Sequence, residues 1–206
     1  MKIKRILTNP YAENCYVVSD EDGTGVIVDP GADGENISIQ LKQMGVNPVA
    51  ILLTHGHFDH VGAVNFLKSE YNLQVYANIY EKGILSDASK IYVFGGGDSQ
   101  PVIVDKWVED GDEITFGELK FKVISTPGHT PGSCCYLIEN HLLAGDTLFY
   151  ESIGRCDLLG GSFETIDRSI KTKLYVLDDD TTVYPGHGET THIGHEKIFN
   201  LYVTGE

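Results

Sequence analysis

The segment 54–60, with the sequence THGHFDH, constrains this chain more than any other stretch, because three imidazoles and one carboxylate fall within six residues. It follows an apolar run at 49–53 that has the length and composition of a buried strand. Histidine is the commonest metal ligand, and four such groups are too many for one tight turn to bury unpaired. Gly56 lets the backbone turn sharply, so that side chains two positions apart converge. The segment therefore predicts a metal site at a strand end, against the alternative of a histidine-rich surface loop.

Three later turns carry further donors, and each also follows an apolar stretch: His129 at 128–130, Asp146 at 145–147 and His187 at 185–188. If the strands share a sheet edge, these turns meet at one rim, where α/β folds place their sites. A catalytic zinc ion takes about three protein ligands and one water. The donors of the 54–60 segment and the three later turns together exceed that number, so they suit two ions better than one. Asp146 is the natural bridge, because a carboxylate has two oxygens and an imidazole offers one lone pair. The predicted ligands are His55, His57, Asp59, His60, His129, Asp146 and His187.

Together, the four motifs resemble the metallo-β-lactamase superfamily. Their order and spacing are most similar to its glyoxalase II branch, the hydroxyacylglutathione hydrolases, in a short form. The resemblance covers almost the whole chain and implies an α/β fold, a four-layer αββα sandwich with helices outside two central sheets. It also implies that the predicted ligands divide into a first site, a second site and a shared carboxylate. The first site consists of His55, His57 and His129, and the second site consists of Asp59, His60 and His187. The shared carboxylate is that of Asp146.

The chemistry implied by two divalent ions is hydrolysis, with zinc as the first choice and iron or manganese as alternatives. Ions about 3.5–4 Å apart lower the pKa of a shared water, so a metal-bridging hydroxide is available near neutral pH to attack a thioester carbonyl. Asp59 is expected to orient this nucleophile as well as bind metal. Asp59 and Asp146 are therefore the predicted catalytic residues.

The substrate side of the site is less defined by the sequence. Arg155 lies in a segment that also resembles the glyoxalase II branch, and its guanidinium can pair with a carboxylate of a small acid or form a structural salt bridge. Phe149, Tyr150 and Lys171 are further candidates for the pocket wall. Only 19 residues follow His187 (206 − 187), so we expect one domain over 1–206 without the C-terminal helical domain that holds glutathione in full-length relatives. The acyl group and the thiol carrier stay open.

Three alternatives compete with this hypothesis. A mononuclear iron persulfide dioxygenase would use His55, His129 and Asp146 alone, and counting the bound metal separates it from a binuclear hydrolase. Hydrolysis of a lactone, another ester or a β-lactam is a third possibility that no specific residue favours. A non-enzymatic binding role would be accompanied by loss of ligands, and none is missing.

Composition limits the partners and the compartment. The formal net charge of −15 argues against a nucleic-acid partner, since phosphate binding depends on a surplus of Lys and Arg. Residues 1–16 lack the apolar core of a signal peptide, and no apolar run approaches a membrane span. The four cysteines form no C-x-x-C pair and suit free thiols in a reducing compartment. We expect a cytoplasmic protein that acts on a small-molecule thioester, with no nucleic-acid or membrane partner and an open oligomeric state.

Local patterns add three helices and one irregular segment. Apolar spacing predicts helices over 34–44, 61–71 and 163–174. Residues 88–102 are aromatic and then glycine-rich, with consecutive glycines at 95–97 that do not match a phosphate-cradling motif. This segment is a candidate lid or dimer contact, with a solvated connecting loop as the alternative.

Overall fold

Two six-stranded sheets form the centre of the protein. The structure, a computed structural model, describes residues 1–87 and 100–205. Most of the candidate lid or dimer contact at 88–102, including the consecutive glycines at 95–97, lies outside the described residues.

The first sheet follows the order of the chain from edge to edge. Its first three strands are antiparallel neighbours, and from the third strand onward all pairs are parallel. The carboxyl ends of the third and fourth strands therefore lie at the same rim. The strands are β1 (Lys2–Thr8), β2 (Glu13–Ser19), β3 (Thr24–Val28), β4 (Asn47–Leu53), β5 (Gln74–Asn78) and β6 (Lys106–Val108).

The second sheet is mostly antiparallel and contains one parallel pair. Its strands are β7 (Glu113–Phe116), β8 (Leu119–Ser125), β9 (Cys134–Ile138), β10 (His141–Gly145), β13 (Thr182–Pro185) and β14 (Thr191–His192), in the spatial order β14-β13-β10-β9-β8-β7. Strands β10 and β13 are parallel, so their carboxyl ends also share a rim. A short hairpin, β11 (Leu148–Phe149) with β12 (Ser152–Ile153), follows β10 and leads to the segment that contains Arg155.

Helices cover the outer face of each sheet. Gly34–Met44 and Val64–Tyr71 pack on the first sheet, and Phe163–Ser169 and Ile193–Phe199 pack on the second. Shorter helical segments are Phe58–Val61, the 3-10 turn Ile79–Glu81, Lys82–Leu85 and the π turn Ile170–Leu174. In the described part of the chain, no helix is long and apolar enough to cross a bilayer.

Three buried apolar layers hold the four structural layers together. Along β4, Ile51 and Leu53 face the helices of the first sheet, whereas Leu52 faces the second sheet. Alternation of this kind is expected where both faces of a strand are buried. Ile166 and Ile193 belong to the third layer, between the second sheet and its helices. The predicted αββα sandwich is confirmed.

The helix predicted over 61–71 is instead divided into Phe58–Val61 and Val64–Tyr71. The reason is a tertiary contact, because the Ala63 N–H donates to the Pro30 carbonyl at 2.9 Å rather than continuing the helix. A methyl group on Gly62 would collide with the carbonyl of Gly31. The predicted helix over 34–44 is confirmed, and the one over 163–174 changes from an α-helix to a π turn after Ser169.

Candidate metal centre

The rims of the two stacked sheets meet at one end of the molecule and carry all of the predicted ligands. Strand β4 leads to the 54–60 segment, whereas β8, β10 and β13 in the other sheet lead to His129, Asp146 and His187. The turns thus converge from two sheets rather than along the edge of one. Gly186 permits the closest approach, since a methyl group there would collide with Asp146 Oδ1 and the His60 ring.

The first cluster consists of three buried imidazoles, His55, His57 and His129. His129 Nε2 lies 2.9 Å from His57 Nδ1 and 3.2 Å from His55 Nε2. Ring nitrogens that face one another this closely need a proton or a cation between them, because two lone pairs repel. Three converging nitrogens with one open direction match the ligand set of a catalytic zinc-type ion.

The second cluster consists of Asp59, His60 and His187, whose candidate ligand atoms all lie within 4.8 Å of one another. His187 Nε2 is 3.2 Å from Asp59 Oδ2. This trio is less enclosed than the first, because only His60 is fully buried. It offers one carboxylate oxygen, which is a hard ligand, and two ring nitrogens, which are borderline ligands. Zinc, iron and manganese all accept this combination.

Asp146 lies between the two clusters. Its Oδ1 is 3.3 Å from His60 Nε2, and its Oδ2 is 3.6 Å from His129 Nε2 and 3.8 Å from His187 Nε2. One carboxylate therefore reaches nitrogens of both trios, as a bridging ligand must.

Two buried atoms in this region test whether the residues suit a metal ion. Among the described residues, His60 Nε2 and Asp146 Oδ1 have no hydrogen-bond partner. Buried polar atoms are nearly always paired, and an unpaired one calls for an unseen water or ion. A divalent cation beside these two atoms would satisfy both, so the donor set fits the metal centre that the fold implies.

Three of the histidine rings are held in the tautomer that a metal requires. His129 donates from Nδ1 to the Arg155 carbonyl at 2.7 Å, and His60 donates from Nδ1 to Asp29 Oδ2 at 3.0 Å. The Thr54 hydroxyl donates to Asp29 and can accept from His55 Nδ1 at 3.1 Å. With Nδ1 protonated, a neutral ring keeps its Nε2 lone pair for a ligand, and His60, whose neighbouring carboxylates raise its pKa, must lose its second proton when a cation binds.

The charges of the site follow from burial and close neighbours. Burial lowers the pKa of His57 to about 3 and that of His55 well below its usual value, and neighbouring imidazoles add to both effects. Burial would also lower the pKa of His60, but the Asp146 and Asp29 carboxylates raise it well above its usual value. Burial opposes ionisation of Asp146, yet His60 and His129 hold its pKa far below the usual range. The site thus presents neutral rings in the first cluster beside an ionised carboxylate.

Sequence reasoning missed two buried carboxylates behind the ligands, Asp29 and Glu81. Asp29 directly follows β3. Its Oδ1 accepts the Thr54 N–H at 2.8 Å, and its Oδ2 accepts the Thr54 hydroxyl at 2.6 Å. The acid-Pro-Gly sequence after a strand was the available signal, because the left-handed backbone of Asp29, with φ of 49°, suits few residues besides Gly, Asn and Asp.

The cluster opens into a pocket of about 230 Å³. Apart from the candidate ligands, its wall is apolar except for Arg155, and Phe149 is the predicted wall residue that lies in it. Tyr150 lines an adjoining groove, and Lys171 pairs with Asp167 instead. The lining residues are His57, Phe58, Asp59, His129, Asp146, Phe149, Ile153, Arg155, Leu158 and His187.

Of the two roles considered for the Arg155 side chain, the structure shows the salt bridge. Its guanidinium forms two hydrogen bonds with Asp157, both at 2.9 Å, and this ion pair is exposed. Its backbone carbonyl orients His129, as described above. The side chain is therefore part of a surface ion pair at the pocket mouth, where solvent weakens the interaction.

Replacing Asp29 with Asn is expected to weaken metal binding and turnover by about 10–100-fold, because Asn cannot accept from both Thr54 and His60 through charged oxygens. We also expect a loss of about 1–3 kcal/mol in the free energy of unfolding, since a buried donor loses its acceptor. Metal titration, turnover and chemical denaturation measure these effects. Asp33→Asn is the matched control, because Asp33 has a similar left-handed backbone, with φ of 53°, and is exposed. Equal metal affinities for the two variants would contradict the orienting role of Asp29.

The protein is an αββα sandwich with a His/Asp cluster where the rims of its two sheets meet. Most residues of this cluster lie on loops that follow strands, and these features together define a class of metal-binding proteins. The chain belongs to the metallo-beta-lactamase superfamily, whose sequence profile matches residues 8–187. Membership of this superfamily supports a hydrolase that uses divalent metal ions.

Several known proteins are similar to this chain in sequence or in structure. It is 32% identical to the hydroxyacylglutathione hydrolase GloC of Haemophilus influenzae over 100% of both chains. The crystal structure of the BLEG-1 B3 metallo-beta-lactamase is 37% identical, with a TM-score of 0.90 over 99% of this chain and 100% of that one. The crystal structure of TTHA1623 in a di-iron-bound form is 33% identical, with a TM-score of 0.85 over 97% of this chain and 100% of that one.

Proposed function

We propose that this chain is a binuclear metal-dependent hydrolase of a small thioester, similar to the hydroxyacylglutathione hydrolases. The observation that carries the proposal is the position of Asp146 between two trios of candidate ligands, next to a pocket large enough for a small acyl group. The 32% identity with GloC over the full length of both chains supports the substrate class. The di-iron form of a relative with the same fold supports two ions per chain.

The bound ions would supply an activated water near neutral pH and a positive charge for the developing oxyanion. The chain itself orients the reactants. Burial opposes ionisation of Asp59, but the hydrogen bond from His187 and the nearby His60 hold its pKa below the usual range. An ionised Asp59 at the pocket wall can accept a hydrogen bond from the attacking water and fix its direction.

The pocket favours a leaving group that needs no general acid. Apart from the candidate ligands, Arg155 is the one ionisable residue among the described residues that line it. A guanidinium does not give up its proton near neutral pH. A thiolate leaves without protonation far more readily than an amine does, so a thioester suits this wall better than an amide.

The charge at the site is compatible with an acidic substrate although the whole chain carries −15. Two divalent ions would outweigh the carboxylates of Asp59 and Asp146, and the local charge decides the attraction at short range. Arg155 at the pocket mouth adds a further positive group, and a substrate carboxylate there would compete with Asp157 for it.

A panel of substrates tests the proposal on metal-loaded protein. We expect turnover of S-lactoylglutathione or another small acyl thioester at a kcat/KM at least about tenfold above that of the matched oxygen ester, a lactone and a β-lactam. The β-lactam is included because of the likeness to BLEG-1. Turnover of the β-lactam or the oxygen ester without any thioester would overturn the substrate class.

Metal counting tests the binuclear part of the proposal separately. Elemental analysis of protein purified under metal-replete conditions is expected to give two divalent ions per chain. A single iron together with oxygen uptake on a persulfide substrate would identify the mononuclear dioxygenase alternative, in which His55, His129 and Asp146 act alone.

A further inference from the structure

Glu81 is a fully buried carboxylate that the hydrolytic chemistry does not use. It lies at the end of the 3-10 turn Ile79–Glu81, which follows β5. Its Oε2 accepts the Gly56 N–H at 2.8 Å, and its Oε1 accepts the Thr130 hydroxyl at 2.6 Å and the Gly132 N–H at 2.8 Å. A buried carboxylate is costly unless it is fully hydrogen-bonded, and here three neutral donors share that task.

The three donors belong to the two loops that carry the first cluster. Gly56 lies between His55 and His57, and Thr130 directly follows His129. The backbones also touch, because a Cβ on Gly132 would lie 2.5 Å from the Glu81 nitrogen. Glu81 thus connects a loop of the first sheet with a loop of the second, directly behind the three imidazoles.

We propose that Glu81 is a positioning residue that sets the separation of these two loops and so determines metal affinity at the first cluster. Its carboxylate fixes the Gly56 and Gly132 backbones relative to each other. The 2.9 Å distance between His57 Nδ1 and His129 Nε2 joins the same two loops. The inference rests on the metal centre proposed above, but it does not depend on the substrate.

The isosteric change Glu81→Gln alters the hydrogen bonds of this side chain while it keeps the size of the side chain. A glutamine has one carbonyl oxygen, whereas the donors approach from both sides of the Glu81 carboxylate. In one orientation the NH2 group of the glutamine faces the Gly56 N–H, and in the other orientation it faces the Gly132 N–H. Either way one loop loses its acceptor and two donors repel each other, so the first cluster opens while Asp59, His60 and His187 keep their own supports.

The experiment is a cobalt(II) titration of apo protein, followed by visible absorption and checked by competition with a zinc chelator. We expect Glu81→Gln to weaken one of the two binding steps by about 10–100-fold and to alter its absorption spectrum, while the other step is unchanged. Thr130→Val removes the hydroxyl that donates to Glu81, together with its contact with the Ser133 hydroxyl at 2.7 Å, and should give a smaller loss in the same step.

Glu196→Gln is the matched control. Glu196 is also fully buried and accepts from the Thr191 hydroxyl at 2.6 Å, the Asn200 amide at 2.8 Å and the Glu151 N–H at 3.0 Å. None of these donors lies on the loops of the first cluster, so its loss should lower the thermal midpoint without changing cobalt affinity. Unchanged cobalt binding in both Glu81→Gln and Thr130→Val would overturn the proposal, as would an equal loss in Glu196→Gln. Failure of the thioester panel with the cobalt result intact would overturn only the proposed function.

Discussion

Replacing Asp146 with Asn is expected to lower thioester turnover by at least about 10²–10³-fold, the loss typical of removing one preorganised stabilising group, while the fold is kept. Asp146 is the residue whose two oxygens reach nitrogens of both trios. Asparagine supplies one neutral oxygen and an N–H group, so it can no longer bridge two cations. We expect the fold to be kept because Asp146 lies on the turn after β10 and asparagine has nearly the same size, so the change weakens the contact with His60 at 3.3 Å without opening a cavity.

Turnover, metal content and thermal unfolding of the Asp146→Asn protein measure the effect. Asp179→Asn is the control for an Asp-to-Asn change as such, since Asp179 is exposed and pairs with Lys197 at the surface. We expect full turnover from that control, because exposed ion pairs contribute about 0–1 kcal/mol. Turnover of Asp146→Asn within about threefold of the wild type would contradict a shared role for this carboxylate.

The residues that the sequence identified share a local signature. His55, His57 and His60 stand in one short segment, and His129, Asp146 and His187 each occupy a glycine-containing turn after an apolar strand. The grouping of these side chains could be predicted because such turns are visible within a few neighbouring positions, and the αββα fold was implied by the family resemblance that these motifs carry. The confirmed part of the prediction is the fold and the superfamily, whereas the ligand roles and the single-domain extent stay predictions.

The supporting carboxylates are harder to identify from the sequence. Asp29 bonds to Thr54 and Glu81 bonds to Gly56, in each case 25 positions away along the chain. The Asp-Pro-Gly turn is the local signal for Asp29, whereas Glu81 stands between Tyr80 and Lys82, where an acid is usually exposed to solvent. The break at Gly62 was missed for the same reason, because the acceptor for the Ala63 N–H comes from the turn after β3.

Arg155 has one role that the sequence predicts, the salt bridge, and one that it does not predict, the backbone contact with His129. The ion pair with Asp157 is exposed, so solvent screens it and its contribution to stability is small. Its backbone carbonyl, in contrast, forms a partly buried hydrogen bond with His129 that does not depend on the side chain. A substitution at this position therefore separates the two roles, since it removes the guanidinium and keeps the carbonyl that orients a candidate ligand.

Removing the metal is expected to abolish turnover and to lower the thermal midpoint by roughly 8–16 °C. A ligand present at about 1,000 times its Kd stabilises the folded state by about 4 kcal/mol. For a chain of this size, each 1 kcal/mol shifts the midpoint by about 2–4 °C. Without a cation, the ring nitrogens of His57 and His129 still face each other at 2.9 Å, and the Asp146 charge stays largely buried.

Calorimetric or fluorescence melts before and after chelation, and again after zinc, iron or manganese is restored, check this expectation. The ion that restores both the midpoint and turnover identifies the metals that the site accepts, because a His/Asp donor set alone does not choose among them. In Asp146→Asn the chelator should shift the midpoint much less, since the shared ligand is already lost. A midpoint that does not change on chelation of the wild-type protein would show that the clustered imidazoles and carboxylates are stable without a cation, and the proposed metal centre would be wrong.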